Sequence, residues 1–186
     1  HGGRGLADWA AEQFAHGDAL IFVGAVGIAV RAIAPHCRSK AVDPAVVVLD
    51  ERGHFAVPIL SGHLGGANDL ARALAAVCGA VPVITTATDA NGVFAVDAWA
   101  RHQNCAVLEP GCIKRISSRL LAGGPVRYRS EFPIAGQAPA GVVPAGEAER
   151  ADFALTLFPA GDGLHLIPKI GVLGIGCRRG TSAAQL

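Results

Sequence analysis

The sequence predicts an α/β fold in which a mainly parallel sheet carries helices on both faces and a smaller α/β unit follows. Short apolar runs alternate with segments whose apolar residues recur at helical spacing, and this alternation is typical of parallel sheets. Of the 186 residues, 51% are hydrophobic, so the chain can bury a substantial core. We therefore expect an N-terminal α/β domain at 1–103 and a small central α/β region at 104–168.

The N-terminal domain is predicted from strands that are short apolar runs and from helices that present one apolar face. One helix should end before Pro35, because the residue before proline disfavours the α region, and Gly79 ends another. The turn at 50–53 joins two strands as a hairpin. The elements are a helix with Leu6, Trp9, Ala10 and Phe14 on one face, a strand at 19–23, the short helix before Pro35, strands at 45–49 and 54–60, a helix with Leu70, Ala73, Leu74 and Val77 on one face, a strand at 81–84, and a helix around 96–102.

The central region differs from the N-terminal domain in composition, since it is rich in glycine and proline. Its stretch at 133–146 is predicted to be a flexible loop or linker. Residues 169–186 are predicted to begin a truncated C-terminal domain, with a strand at 170–175. The other central elements are a helix that turns Ile113, Ile116, Leu120 and Leu121 inward and strands at 126–130, near 153–158 and near 164–167.

Composition excludes several classes of function. Charged residues make up 17% of the chain and the net charge is +1, so a nucleic-acid partner is not expected. The longest apolar run, 19–30, is shorter than the roughly 20 residues of a membrane span, and no export signal is recognisable. The five cysteines are irregularly spaced, so free thiols and a cytoplasmic location are expected. The chain starts at His1 and has no methionine, so we expect elements to be missing at both ends.

Three loops are expected at the carboxyl ends of parallel strands, where ligands bind in open α/β sheets. They are residues 24–27, 61–69 and 85–92. In a parallel sheet these loops would lie along one edge. This edge is the predicted binding crevice.

The loop at 61–69 has the most informative composition. Gly62, Gly65 and Gly66 allow positive φ and close backbone approach, while His63 and Asn68 add a titrating group and hydrogen-bond donors. An anion or an oxyanion could bind there. The alternative, at about even odds, is that the glycines only form a tight turn, that Asn68 or Asp69 caps the next helix, and that His63 is a surface residue.

The loop at 85–92 offers the hydroxyls of its threonines and the carboxylate of Asp89. That carboxylate could act as a base or bind a substrate donor. Taken alone, the loop is better interpreted as a helix start with Thr88 or Asp89 as the N-cap. Arg31 could pair with substrate carboxylates, although such a charge is more often part of a solvated face.

The terminal stretch 174–182 is glycine-rich but matches neither nucleotide fingerprint. Its third glycine comes one residue late for the dinucleotide pattern, and no lysine precedes Thr181. It contains Arg178, a second candidate for holding carboxylates.

Together, residues 18–35, 43–48, 60–68 with 85–92, and 174–182 resemble the cobalt-precorrin-5A hydrolase family of anaerobic cobalamin biosynthesis. The resemblance places a first βα portion before His1 and most of a C-terminal domain after Leu186. It implies a carbon–carbon bond hydrolase that opens the δ-lactone of cobalt-precorrin-5A and releases acetaldehyde to give cobalt-precorrin-5B. The substrate is a cobalt-containing tetrapyrrole that carries its own metal, so no organic cofactor and no protein metal site are implied. A homodimer, or contacts with other cobalamin-pathway enzymes, would be compatible with this function.

Residue chemistry suggests roles within that reaction. His63 or Asp89 is the candidate general base, and the N–H groups of Gly65 and Gly66 are candidate oxyanion donors. We expect His63 to matter more to chemistry than to folding. Supporting substrate-binding candidates are Gly62, Asn68 and Thr86 in the loops and Arg31 and Arg178 for carboxylates.

Two other classes of function remain open on the sequence alone. One is a non-catalytic module that binds a tetrapyrrole or an anionic metabolite for a partner enzyme. The other is a different small-molecule hydrolase on the same architecture. Acetaldehyde release would distinguish the cobalt-precorrin hydrolase from both.

Overall fold

The computed structural model describes residues 5–171, which form two mixed β-sheets with helices packed against them. The α/β class predicted from the sequence is confirmed, and most strands of both sheets pair in parallel. No helix in the described part of the chain is long and apolar enough to cross a bilayer. The first ten elements are α1 Leu6–His16, β1 Ala19–Val23, α2 Val26–Ile33, a 3₁₀ turn at Ala34–His36, β2 Ala45–Leu49, β3 Phe55–Leu60, α3 Ala67–Cys78, β4 Val81–Pro82, α4 Ala87–Ala90 and α5 Val96–His102.

The first sheet has the strand order β1-β2-β3-β4. β1 pairs in parallel with β2 and β3 with β4, but β2 and β3 are antiparallel. The reversal is a hairpin whose turn is closed by Asp50, which accepts hydrogen bonds from the backbone of Arg52 and Phe55, and by Gly53 at φ +69°. The mainly parallel sheet expected here is therefore a mixed one.

Helices cover both faces of this first sheet, as predicted. α1 and α2 pack on one face through a cluster that includes Phe14, Leu20 and Val46. α3 packs on the other face, where small residues such as Ala71 contact Val47. Because successive side chains of a strand point to opposite faces, the continuously buried β2 supplies both clusters.

The second sheet has the order β5-β9-β8-β6-β7, and only the β5–β9 pair is antiparallel. α5 and α6 pack against one face through Val96, Ile116 and Leu166, among others. α5 therefore shares its core with the second sheet, while the predicted domain division at residue 103 stays a prediction. The elements are β5 Cys105–Val107, a 3₁₀ turn at Pro110–Cys112, α6 Ile113–Leu121, β6 Val126–Ser130, β7 Val142–Pro144, β8 Phe153–Leu155 and β9 Leu164–Pro168.

Some details of the sequence prediction differ from the structure. Leu121 was expected inside, but it is 40% exposed at the last turn of α6. The stretch 133–146 was expected to be a flexible loop or linker, and residues 133–141 have no helix or strand, but residues 142–144 form β7, which pairs in parallel with β6. The strand at 81–84 is reduced to Val81–Pro82. Of the predicted strand at 170–175, Ile170 and Gly171 have no strand structure, and the rest lies outside the described residues.

Candidate functional site

The loops at 61–69 and 85–92 lie side by side, as predicted. They follow β3 and β4, which run in parallel and therefore end at the same edge. His63 of the first loop contacts Asp89 of the second, and Asn68 contacts Thr86. The residues singled out in both loops thus form one cluster.

The loop at 24–27 does not join them. Val23 pairs with Leu49, and Leu49 pairs with Ala56 at the start of β3, whereas Leu60 at the end of β3 pairs with Val46. The hairpin therefore places the end of β1 at one edge of the sheet and the end of β3 at the other. The expectation that all three loops share one crevice is wrong.

The first loop is held by hydrogen bonds of its own backbone and by a contact with Asp43, just before β2. Ser61, at φ +55°, donates its hydroxyl to Asp43 O at 2.8 Å. Gly66 N–H donates to His63 O at 2.9 Å, and Asn68 N–H donates to Gly62 O at 2.9 Å. One of the two proposed oxyanion donors, Gly66 N–H, is therefore already engaged within the loop.

Close packing explains why these positions are glycine. A Cβ at Gly62 would lie 2.8 Å from Asn68 Oδ1, a Cβ at Gly65 would collide with Ser61, and a Cβ at Gly66 would collide with the guanidinium of Arg101. Gly66 also has φ +84° as the N-cap of α3. The role of these glycines in ligand approach stays a prediction, because contacts within the protein already require them.

Gly66→Ala is expected to lower the free energy of unfolding by about 1 to 3 kcal/mol, because it adds backbone strain and displaces Arg101. Gly53→Ala is the matched control, since Gly53 also has positive φ (+69°) but open space around its Cβ position. Urea unfolding of both variants separates strain from collision. Equal losses would show that the Arg101 contact contributes nothing.

His63 lies between two carboxylates. Its Nε2 is 2.6 Å from Asp89 Oδ2, its Nδ1 is 3.2 Å from Asp97 Oδ1, and its side chain is only 14% exposed. The hydrogen bond with Asp97 raises the pKa of His63 most, burial opposes it, and the contacts with Asp89 add to the rise, so that this pKa reaches about 9. The imidazole therefore carries two protons at neutral pH, and the idea that it is a simple surface residue is wrong.

Asp89 is surrounded by donors. Its Oδ2 accepts from Thr86 Oγ1 at 2.6 Å and from Asn68 Nδ2 at 3.2 Å, in addition to His63, and its Oδ1 contacts Arg72. Burial by itself would raise the pKa of Asp89, but the hydrogen bonds from Thr86, His63 and Arg72 outweigh it and hold this pKa far below its usual range. The carboxylate is thus ionised and well satisfied.

The pKa directions count against a general-base role for either group. A base near neutral pH needs a free lone pair and a pKa close to the working pH. His63 holds its proton too tightly, and Asp89 binds protons too weakly. Both assignments stay predictions, and the raised pKa of His63 fits a proton donor better than a proton acceptor.

Both loops lead into helices, as the alternative interpretation expected, but the cap residues it named are wrong. The N-cap of α3 is Gly66, and neither it nor Thr86, the N-cap of α4, makes a side-chain cap hydrogen bond. Asn68 is buried and points to Thr86 and Asp89. Asp69 instead pairs with Arg72 on its own helix and with Arg101 and His102 on α5.

Sequence reasoning missed Asp97 and Arg72. Asp97 lies in the first turn of α5, where acidic residues are common because they favour the helix dipole. Arg72 follows Asp69 at helical spacing and is easily interpreted as a surface ion pair. Neither residue carries a local signal that distinguishes it from ordinary helix chemistry.

A cavity of about 440 Å³ is lined by Leu64, the loop residue that follows His63, and by none of the residues of the cluster. Arg101 and Lys169 bring positive charge to its wall, and none of its lining residues is acidic. Its volume is within the range of small-molecule sites. Among the described residues, no group of His, Cys, Asp and Glu side chains has an arrangement that could hold a metal ion.

Of the two arginines proposed for carboxylates, Arg31 makes none of the contacts of this cluster. Arg31 is exposed on α2 and donates to Gly27 O at 3.4 Å. Arg178 lies outside the described residues. Their role in substrate binding stays a prediction.

Comparison with known proteins identifies the family. The cobalamin synthesis G N-terminal domain matches residues 8–89. The chain is 40% identical to the cobalt-precorrin-5A hydrolase of Salmonella typhimurium over 95% of its length, and 32% identical to that of Priestia megaterium over 90%. The chain is a homologue of the cobalt-precorrin-5A hydrolases. The resemblance drawn from the sequence motifs is confirmed.

The match covers only part of these relatives. The chain spans 55% of the Salmonella typhimurium protein and 50% of the Priestia megaterium protein. A solved structure of a cobalamin biosynthesis protein G homologue from Sulfolobus solfataricus is 24% identical, with a TM-score of 0.49, and the match covers 81% of this chain and 45% of that one. The chain spans about half the length of the two curated relatives.

Proposed function

We propose that this chain takes part in the hydrolysis of cobalt-precorrin-5A, in which a δ-lactone is opened and acetaldehyde is released to give cobalt-precorrin-5B. The observation that supports it best is the imidazole of His63 held between Asp89 and Asp97. Two of these residues lie in the loops that carry the family resemblance. The named activity of the curated relatives supplies the substrate.

The reaction requires protons to be moved at defined atoms. Water adds across the acyl C–O bond, so that its oxygen stays on the carboxyl carbon and a proton goes to the departing ring oxygen. The alcohol formed then loses its O–H proton while the adjacent C–C bond breaks. Acetaldehyde leaves, and the electron pair passes to the macrocycle, which takes up a proton.

His63 is our candidate donor to the departing oxygen, and this role requires the substrate oxygen to replace Asp89 or Asp97 at one ring nitrogen, since both N–H groups are engaged in the free protein. An imidazolium with a pKa of about 9 is charged at neutral pH and can give its proton to an alkoxide, which is far more basic. Asp89 and Asp97 act as positioning residues, because each holds one ring nitrogen. Thr86 and Asn68 orient Asp89 through hydrogen bonds and act on the substrate only indirectly.

In this proposal the cavity lined by Leu64 binds the substrate and holds it in place. Arg101 and Lys169 offer donors for peripheral carboxylates. Gly65 N–H is the remaining candidate for an oxyanion, since Gly66 N–H is engaged. Arg31 and Arg178 stay candidates for more distant carboxylates.

Acetaldehyde release tests the function directly. The full-length protein containing this chain is mixed with cobalt-precorrin-5A, acetaldehyde is quantified by coupled reduction, and the loss of mass from the macrocycle is followed in parallel. One acetaldehyde for each macrocycle is expected. Binding of the substrate with no release would favour the alternative of a binding module, and the absence of both would contradict the proposed substrate.

A further inference from the structure

A groove of about 510 Å³ beside α6 and β6 is lined by charged residues throughout. Four of the six are arginines and two are acidic, so the lining alone carries two excess positive charges, although the whole chain carries only +1. None of the residues given a role in the function proposed above lines this groove. Its lining residues are Arg115, Arg119, Arg127, Glu149, Arg150 and Asp152.

The acidic residues orient the arginines. Asp152 Oδ1 lies 2.9 Å from Arg119 NH1, and its Oδ2 accepts the backbone N–H of Arg127 at 2.8 Å. Glu149 holds Arg127 Nε at 3.2 Å and is itself fixed by Gly146 N–H at 2.9 Å. Each of these carboxylates contacts one nitrogen of a guanidinium and leaves its other N–H groups free for a ligand. Because the arginine side chains are already held in place, less conformational entropy is lost when a ligand binds.

The excess charge comes from the remaining two arginines. Arg115 is exposed on α6 and makes no ion pair within residues 5–171. Arg150 contacts Asp162 at 3.1 Å, but both side chains are mostly exposed, at 65% and 84%, so the pair is weak. These two guanidinium groups are the ones available to a new partner.

We propose that this groove binds a small molecule with two or more carboxylates. Guanidinium forks match both carboxylates and phosphates in a bidentate geometry, and the choice of carboxylates rests on the function proposed above. The lining has no aromatic or aliphatic side chain, so it lacks the apolar anchors of a protein interface and the stacking surfaces of a nucleobase site. The volume falls in the range of small-molecule sites.

The identity of the ligand rests on the function proposed above. A tetrapyrrole with acetate and propionate arms has several carboxylates at its rim. The groove would hold the rim of the substrate macrocycle through Arg115 and Arg150, with Arg119 and Arg127 as preoriented neighbours.

Uroporphyrin, a fluorescent tetrapyrrole with eight carboxylates, is the binding probe. Titrated into the full-length protein, it should bind the Arg115→Ala/Arg150→Ala variant at least about tenfold more weakly than wild type, as expected for the loss of charge-assisted contacts. Lys114→Ala is the control for general charge loss, because it removes one positive charge, where the double variant removes two, from a neighbouring position of α6 that does not line the groove. Citrate should displace the probe more effectively than pyrophosphate.

Several outcomes would overturn the inference. They are no binding of uroporphyrin to wild type, an equal loss in Lys114→Ala and the double variant, and stronger displacement by pyrophosphate. The acetaldehyde assay keeps the two proposals separate. Turnover with an unchanged KM in the double variant would leave the function standing and reject the groove, whereas arginine-dependent binding without turnover in wild type would do the reverse.

Discussion

His63→Gln in the full-length protein is expected to slow acetaldehyde release at saturating substrate by about 10² to 10⁴, the range that acid–base groups typically contribute. Glutamine can donate a hydrogen bond to one carboxylate but has no titratable proton. Affinity for the substrate, measured by absorbance titration, should stay near the wild-type value. A normal rate would place the catalytic group outside the His63 cluster.

Asp89→Asn and Asp97→Asn test the same assignment without removing the imidazole. Both carboxylates help to raise the pKa of His63 to about 9, so losing either charge lowers that pKa. If protonated His63 is the donor, the alkaline limb of the kcat profile moves to lower pH in both variants. A purely structural role would reduce kcat at every pH and leave the limb where it is, which would reject His63 as the acid.

The pairing of the two loops was predictable because each follows a strand and each carries polar residues at a helix start. His63, Asn68, Thr86 and Asp89 stand out in otherwise apolar surroundings. A parallel arrangement of β3 and β4 is enough to bring them together. Sequence reasoning therefore reached the cluster through local chemistry and strand direction.

The edge at which each loop lies was not fully predictable. The turn closed by Asp50 predicts a hairpin, and a hairpin reverses the chain direction between β2 and β3. Both β3 and β4 therefore run opposite to β1, so the loop at 24–27 lies at the other end of the sheet. The correct prediction of the hairpin was thus compatible with a wrong prediction of the crevice.

The protonation state of His63 could not be predicted either. A histidine between glycines suggests an exposed imidazole with ordinary titration. Asp97 raises the pKa of His63 and lies on α5, a helix whose apolar face packs on the second sheet. Long-range packing places this second carboxylate, so no pattern near His63 indicates it.

The strand β7 shows the limit of composition. Glycine and proline around 133–146 favour a loop, yet Val142 is buried against the core of the second sheet. Three residues of parallel pairing with β6 are enough to form the strand. Such a short strand at the edge of a sheet depends on its neighbour and lacks a periodicity of its own.

The stability of the protein should depend on pH through the same imidazole. His63 has a pKa of about 9 in the folded chain and an ordinary value of 6.5. Below pH 6.5 the group is charged in both the folded and unfolded chains, and the contribution of the ion pairs is complete. Between pH 6.5 and about 9 the unfolded chain loses its proton first, so rising pH favours unfolding.

The lowered pKa of Asp89 determines how the stability of the folded chain changes at acid pH. That carboxylate contributes stability above its ordinary value of 3.8, and the contribution is lost as the pH falls. The pKa shifts of His63 and Asp89 arise in part from the same His63–Asp89 ion pair, so their contributions to stability cannot be summed. The contribution of the cluster should therefore be largest between pH 3.8 and 6.5.

We expect the free energy of unfolding, compared between wild type and His63→Gln by urea titration, to show this difference directly. The advantage of wild type should be about 3 kcal/mol larger at pH 6 than above pH 9, since one pKa unit corresponds to about 1.4 kcal/mol. Asp97→Asn should reduce the pH dependence of the free energy of unfolding more than Asp89→Asn does, because the hydrogen bond with Asp97 is the largest cause of the raised pKa of His63. The side chain of His63 is 14% exposed and contacts two carboxylates, so its loss should affect stability. Such a result would contradict the expectation that His63 matters more to chemistry than to folding. Parallel pH curves for wild type and His63→Gln would show that the imidazole is not held charged by its neighbours, and the assignment of His63 as a proton donor would lose its physical basis.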